Sequence, residues 1–109
     1  MPKKLKSSTT TEKSQLLAIP TVGEILLEEF LKPLDLSQNA LARAIFVPPR
    51  RINEIVLGKR SVTADTDLRL TRYFRMSPDY FLRLQMQHDI RTQSRALGEK
   101  LDAIRSRAA

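Results

Sequence analysis

Apolar residues recur at helical spacing along most of this chain, and capping residues, prolines and glycines cut the pattern into short segments. Thr21, a residue suited to capping, precedes Val22, Ile25, Leu26 and Phe30, with Glu24, Glu28 and Glu29 left on the outer side. This predicts a first helix running to about Lys32, because Pro33 pushes the residue before it out of helical geometry. Ser37 then stands as an N-cap ahead of Gln38, Asn39 and Ala40, and Leu41, Ala42 and Ile45 form the apolar stripe of a second, two-turn helix. After Phe46 and Val47 come Pro48 and Pro49; a first helical position tolerates proline, since its N–H would lack a helical partner anyway. The third helix buries Ile52, Ile55 and Val56 and ends at Gly58, which suits a left-handed position.

Thr63 caps a fourth helix whose expected inner residues are Leu68, Leu70, Tyr73 and Phe74, with Arg72 and Arg75 complementing the dipole at its C-terminal end. Ser77-Pro78-Asp79 is a further start signal, followed by Tyr80, Phe81, Leu84, Ile90, Leu97, Leu101 and Ile104 with no stop except Gly98. One long helix and two helices meeting near Gly98 fit that pattern equally. No stretch alternates with period two between turn signals, so the fold is expected to be all-α, with five or six helices. Residues 1–13 offer only Leu5 for burial, and the expected division is a disordered basic tail at 1–19, a helical domain at 20–93 and a C-terminal helical extension at 94–109. A chain of 109 residues with 41% hydrophobic content supports one core of this kind.

Composition narrows the chemistry. Cysteine is absent and His88 is the only histidine, which removes disulfide frameworks, zinc fingers and thiol catalysis for want of ligands. The apolar run Leu16 to Ile19 is too short for a signal-peptide core or a membrane span, so a soluble, cytoplasmic protein without membrane attachment is expected. The net charge is +7, and its placement says more than its size. Both ends are basic, residues 20–35 are acidic, and residues 36–62 carry Arg43, Arg50, Arg51, Lys59 and Arg60 against Glu54 alone.

That basic stretch coincides with the second and third predicted helices, whose tight corner and inward-facing apolar residues make a helix-turn-helix pattern. With Ile52 and Ile55 inside, Pro49, Arg50, Arg51, Asn53 and Glu54 lie on the outer side at the start of the third helix, the end that enters the major groove in this motif. Arginine can bond guanine bidentately, glutamate can accept from cytosine, and a proline ring can touch a thymine methyl. Gln38 and Asn39, at the start of the second helix, and Lys59 and Arg60, just past the third, are expected phosphate contacts. The adjacent arginines sit at the wrong end for the helix dipole, which gains them little in the unbound protein.

The runs Pro20-Thr21-Val22-Gly23-Glu24-Ile25-Leu26, Leu41-Ala42-Arg43-Ala44, Pro48-Pro49-Arg50-Arg51-Ile52-Asn53-Glu54-Ile55 and Gly58-Lys59-Arg60-Ser61-Val62-Thr63-Ala64-Asp65-Thr66 resemble the HigA-type addiction-module antitoxins. The likeness continues through Phe81-Leu82-Arg83-Leu84-Gln85 and His88-Asp89-Ile90. It implies a phage-repressor-like helix-turn-helix domain that dimerises, represses its own operon by binding double-stranded operator DNA, and neutralises a messenger-RNA-cleaving toxin. It also implies phosphate contacts at Gln38 and Lys59 and base contacts at Pro49, Arg50 and Glu54. Two positions depart from the family pattern: Phe81 stands in place of a tryptophan, and Phe46 in place of the glycine usual at such corners.

Catalysis finds no support, and no cofactor or metal is expected. His88 beside Asp89 is the only pair resembling an acid–base unit, and adjacent helical residues point in different directions with no nucleophile nearby. For a homodimer, the expected contact residues are Tyr80, Phe81, Leu84 and Leu97. For the toxin, the candidates are the acidic face of Glu24, Glu28 and Glu29, or the tail acting through Leu16, Leu17 and Ile19. The alternative reading is a helical protein-interaction module, or a transcriptional regulator without a toxin partner.

Overall fold

The computed structural model describes residues 19–107, which form six helices and no strand. The expected tail at 1–19 lies, apart from Ile19, outside the described residues.

Helix α1 opens with the α-helical turn Val22–Ile25 and continues as the π-helical stretch Leu26–Leu31. Thr21 begins it with a capping box: its hydroxyl accepts from the Glu24 amide at 3.1 Å, and the Glu24 carboxylate accepts from the Thr21 amide at 3.1 Å. The π stretch has a packing reason. Leu26 and Leu31 are both buried, yet five residues in an α-helix turn through about 500°, leaving them roughly 140° apart. The wider ladder, seen in the bond from the Lys32 amide to the Leu27 carbonyl, brings both leucines to the core side. Regular α spacing predicts Ile25 and Phe30 as core residues and misses Leu31; the structure half-buries those two and encloses Leu31.

Helix α2 (Gln38–Ala44) is capped by the Ser37 hydroxyl, which accepts from the Ala40 amide at 3.0 Å. It ends in a Schellman motif, with the Val47 amide bonded to the Ala42 carbonyl and the Phe46 amide to that of Arg43. The residue that must turn left-handed there is Phe46, at φ +61°, with a side chain 86% exposed. A non-glycine residue in that conformation costs about 1–3 kcal/mol, and burial of the ring offsets none of it. Helix α3 (Pro49–Val56) starts with proline as expected and encloses Ile52 and Ile55. Gly23 of α1 rests against its C-terminal turn so closely that a methyl group there would overlap the Ile55 carbonyl.

Helix α4 (Ala64–Phe74) is capped by Thr63, but its inner face differs from the expected one. Leu70 is enclosed and Phe74 packs half-buried against the core as expected, but Leu68 is 55% and Tyr73 42% exposed, and the remaining buried residues are Thr66, Asp67 and Thr71. The polar choice is explained by helix α5 (Tyr80–Leu97), whose start packs there. The buried Asp67 carboxylate accepts from the amides of Asp79 at 2.7 Å, Phe81 at 2.9 Å and Leu82 at 3.1 Å, satisfying N–H groups that a helix start leaves open. The start signal at Ser77-Pro78-Asp79 thus marks the right place, while the carboxylate that caps α5 comes from α4 rather than from Asp79.

Gly98, at φ +42°, ends α5, and the short helix α6 (Glu99–Asp102) follows, so two helices meet there. Phe81 is wholly buried: its ring stacks obliquely against Phe30 at 5.2 Å and Phe74 at 6.2 Å, joining α1, α4 and α5 in one core. That removes it from the residues expected to face a second copy. Tyr80 and Leu84 are also packed against the core, and of the four only Leu97 is exposed. No helix among the described residues is long and apolar enough to cross a membrane.

Candidate nucleic-acid interface

Ser37 fixes the start of α2 and the two prolines fix the start of α3, so the two ends come together through local chemistry. The Asn53 side-chain amide donates to the side-chain Oε1 of Gln38 at 2.7 Å, joining the outer face of α3 to the first turn of α2. Asn39 lies beside this junction on the rim of an open groove that Gln38 and Asn53 also line.

The charged residues of α3 are bound to one another. Glu54 accepts from Arg50 Nε at 3.0 Å through one carboxylate oxygen and from Arg60 Nη2 at 2.8 Å through the other. Arg50 is nonetheless 82% exposed, the most open of the charged groups in this chain of ion pairs. Hydrogen bonds from Arg50 and then Arg60 hold the Glu54 carboxyl below its ordinary value of 4.5. Arg51 turns the other way, its Nη1 lying 2.7 Å from Asp65 Oδ2 on α4. The same oxygen holds Arg69 Nε at 3.0 Å, and these two arginines, Arg69 foremost, lower the Asp65 carboxyl from 3.8. Lys59 and Arg60 follow α3 directly, where the Schellman end at Gly58 turns the chain: the Lys59 amide bonds the Glu54 carbonyl at 2.8 Å.

The arrangement therefore gathers Gln38 with Asn53, and Arg50 with Glu54 and Arg60, at the edges of α3. Pro49 opens the helix as its first residue. Arg51 is drawn toward α4 and is less available than its neighbour, with only 30% of its side chain exposed. The two carboxylates also explain how paired arginines are tolerated at a helix start, against the dipole. Asp65 and Arg69 are the residues that sequence reasoning missed. Their i, i+4 spacing signals a helix-surface pair, but nothing in the sequence says that the pair reaches Arg51.

Elsewhere, His88 Nδ1 and Asp89 Oδ1 are 3.3 Å apart, closer than adjacent helical positions imply, with His88 half-buried and Asp89 exposed. Among the described residues no group of three or more histidine, aspartate or glutamate side chains is placed to hold a metal ion.

The helix-turn-helix family model matches residues 27–81, half of the chain and every interface residue from Gln38 to Arg69. The chain is 54% identical over 69 residues to virulence-associated protein I of Dichelobacter nodosus, an alignment covering 63% of this chain and 64% of that one. It spans 62–65% of the length of the curated relatives it matches. Among solved structures it is similar to the Pseudomonas aeruginosa antitoxin HigA with the higBA promoter: 36% identity, TM-score 0.75, covering 84% of this chain and 100% of that one. It is also similar to PA4674 of Pseudomonas aeruginosa in complex with its 18-bp operator DNA: 37% identity, TM-score 0.77, covering 83% of this chain and 96% of that one.

Proposed function

The chain belongs to the helix-turn-helix family, among its HigA-type antitoxins, and from that premise we propose that it binds its own operator as a homodimer and so represses its operon. The observation that carries the reading is the bond between Asn53 and Gln38, which ties the outer face of α3 to the first turn of α2 while Arg50 stays exposed on the same helix. In this reading Pro49, Arg50, Asn53 and Glu54 face base edges, with Arg51 joining them if it leaves Asp65. Gln38, Asn39, Lys59 and Arg60 hold phosphates. The protein acts by binding, without catalysis, in the cytoplasm where its DNA lies.

Dimerisation is supported by exposed apolar side chains on α5 and after it: Met86, Ile90, Leu97, Leu101 and Ile104. One short recognition helix reads too few base pairs for operator-level affinity, whereas a two-fold protein reads two half-sites. The relatives solved with a promoter and with operator DNA support the DNA ligand. The antitoxin kinship supports a second partner, a toxin that cleaves messenger RNA. Of the expected toxin contacts on α1, Glu24 is engaged in its capping box and Glu28 is paired with Lys32 at 2.7 Å, so Glu29 is the least committed of the three.

The test is a salt series with two labelled duplexes, one carrying the promoter upstream of the coding sequence and one a scramble of it. Both affinities should fall steeply with salt, while the promoter stays preferred throughout. Equal affinity for both duplexes at every salt concentration would refute operator recognition. Co-purification with the product of the neighbouring small open reading frame tests the toxin partner, and failure to bind it would leave a regulator alone.

A further inference from the structure

We propose that Arg69 is a positioning residue for DNA recognition, holding the corner between α2 and α3 in the left-handed turn that Phe46 would otherwise resist. This inference rests on α3 being the DNA-reading helix.

Three observations meet at this residue. First, Phe46 adopts φ +61° with its ring in solvent, so nothing in its own side-chain packing selects that conformation. Second, Arg69 reaches across from α4 and donates from Nη1 to the carbonyls of Ile45 at 2.8 Å and Phe46 at 3.3 Å. These are the carbonyls at the end of α2, where intrahelical donors have run out. Third, the guanidinium is held from behind: Asp65 Oδ2 accepts from Arg69 Nε at 3.0 Å and also from Arg51 Nη1 at 2.7 Å.

The planar fork of arginine suits this task, because one rigid group can bind a carboxylate on one edge and carbonyls on another. A single carboxylate oxygen thus ties the corner before α3 to the first turn of α3, and both to α4. A glycine at position 46 would need no such support, since it adopts positive φ without steric penalty. Arg69 therefore does from a distance what backbone freedom would do locally, and the orientation of α3 depends on it.

The experiment compares the wild type, Arg69→Met, and the double variant Arg69→Met with Phe46→Gly. Two readouts are taken: affinity for the promoter and scrambled duplexes, and amide hydrogen exchange over residues 45–52. Arg69→Met should lose at least tenfold in preference for the promoter and exchange faster across the corner. The double variant should recover both, although it restores neither the charge nor the fork. Loss of affinity on both duplexes alike, unrescued by glycine, would make Arg69 a phosphate contact and overturn the proposal; so would an Arg69→Met variant with wild-type exchange. If the wild type itself fails to prefer the promoter, the DNA reading falls, and exchange at the corner still decides whether Arg69 braces it.

Discussion

On the outer face of α3, Glu54 joins two arginines at once. Both its oxygens are engaged by Arg50 and Arg60, and each keeps a second lone pair with which, as a base-reading group, it would accept from a cytosine amine. The same two bonds orient Arg50 and Arg60 in the unbound protein. Arg50→Ala should cost about 1–3 kcal/mol on the promoter duplex and relax preference at one base position, whereas Lys59→Ala should weaken all duplexes alike and lower the salt slope by about one. Parallel anisotropy titrations on single-base variants of the promoter separate the two patterns. The pairing also has a pH signature. Because Arg50 and Arg60 lower the Glu54 carboxyl, any stabilisation from these pairs is fully present above the usual value of 4.5 and is lost as the pH falls through the lower folded value. A carbon-detected NMR titration should place the Glu54 midpoint below 4.5 in the wild type and higher in Arg50→Ala; an unshifted midpoint in both would dissolve the ion-pair chain.

At the scale of elements, the joint between α4 and α5 is the sharpest case of function carried by polar burial. Asp67→Ala would leave three amides at the start of α5 without their acceptor, at an expected cost on the order of 3 kcal/mol. For a domain of this size that lowers Tm by roughly 10–20 °C, which calorimetry reads directly. A variant melting within a few degrees of the wild type would mean that water replaces the carboxylate.

This joint was also the least legible part of the sequence. Caps at Thr21, Ser37 and Thr63, the prolines before α3 and the glycines after α3 and α5 act within a few residues, and each marks its boundary correctly. Leu68 was misplaced because a periodicity argument assigns apolar residues to the inside; α4 instead turns Thr66, Asp67 and Thr71 inward to meet a neighbour's unsatisfied backbone. The π stretch of α1 escaped for a related reason, since its spacing follows where Leu31 must go rather than any local signal. The outer residues of α3 were readable from the helix period alone, while their ion-pair partner Asp65 lies on another element and was not.

For the whole molecule, the apolar side chains left on α5 and beyond bear on assembly. Ile90 is 57% exposed, so Ile90→Glu should leave the fold and its Tm nearly unchanged in a chain that remains alone. In a dimer held along α5, the same change should convert the species seen by light scattering at micromolar concentration to a monomer. Affinity for a two-half-site promoter should fall much further than affinity for a single half-site. A variant that stays dimeric would move the interface elsewhere.

Such a dimer would make α5 a lever arm. Its 18 residues extend about 27 Å, so a change of about 10° where the helix is anchored carries its far end through roughly 5 Å. One base-pair step along DNA is only about 3.4 Å, and two recognition helices must stand a whole turn of DNA apart to bind together. Three bonds to one buried carboxylate leave little play at that anchorage. In such a dimer the spacing of half-sites that the protein accepts would be set from inside its core, at the enclosed carboxylate of Asp67.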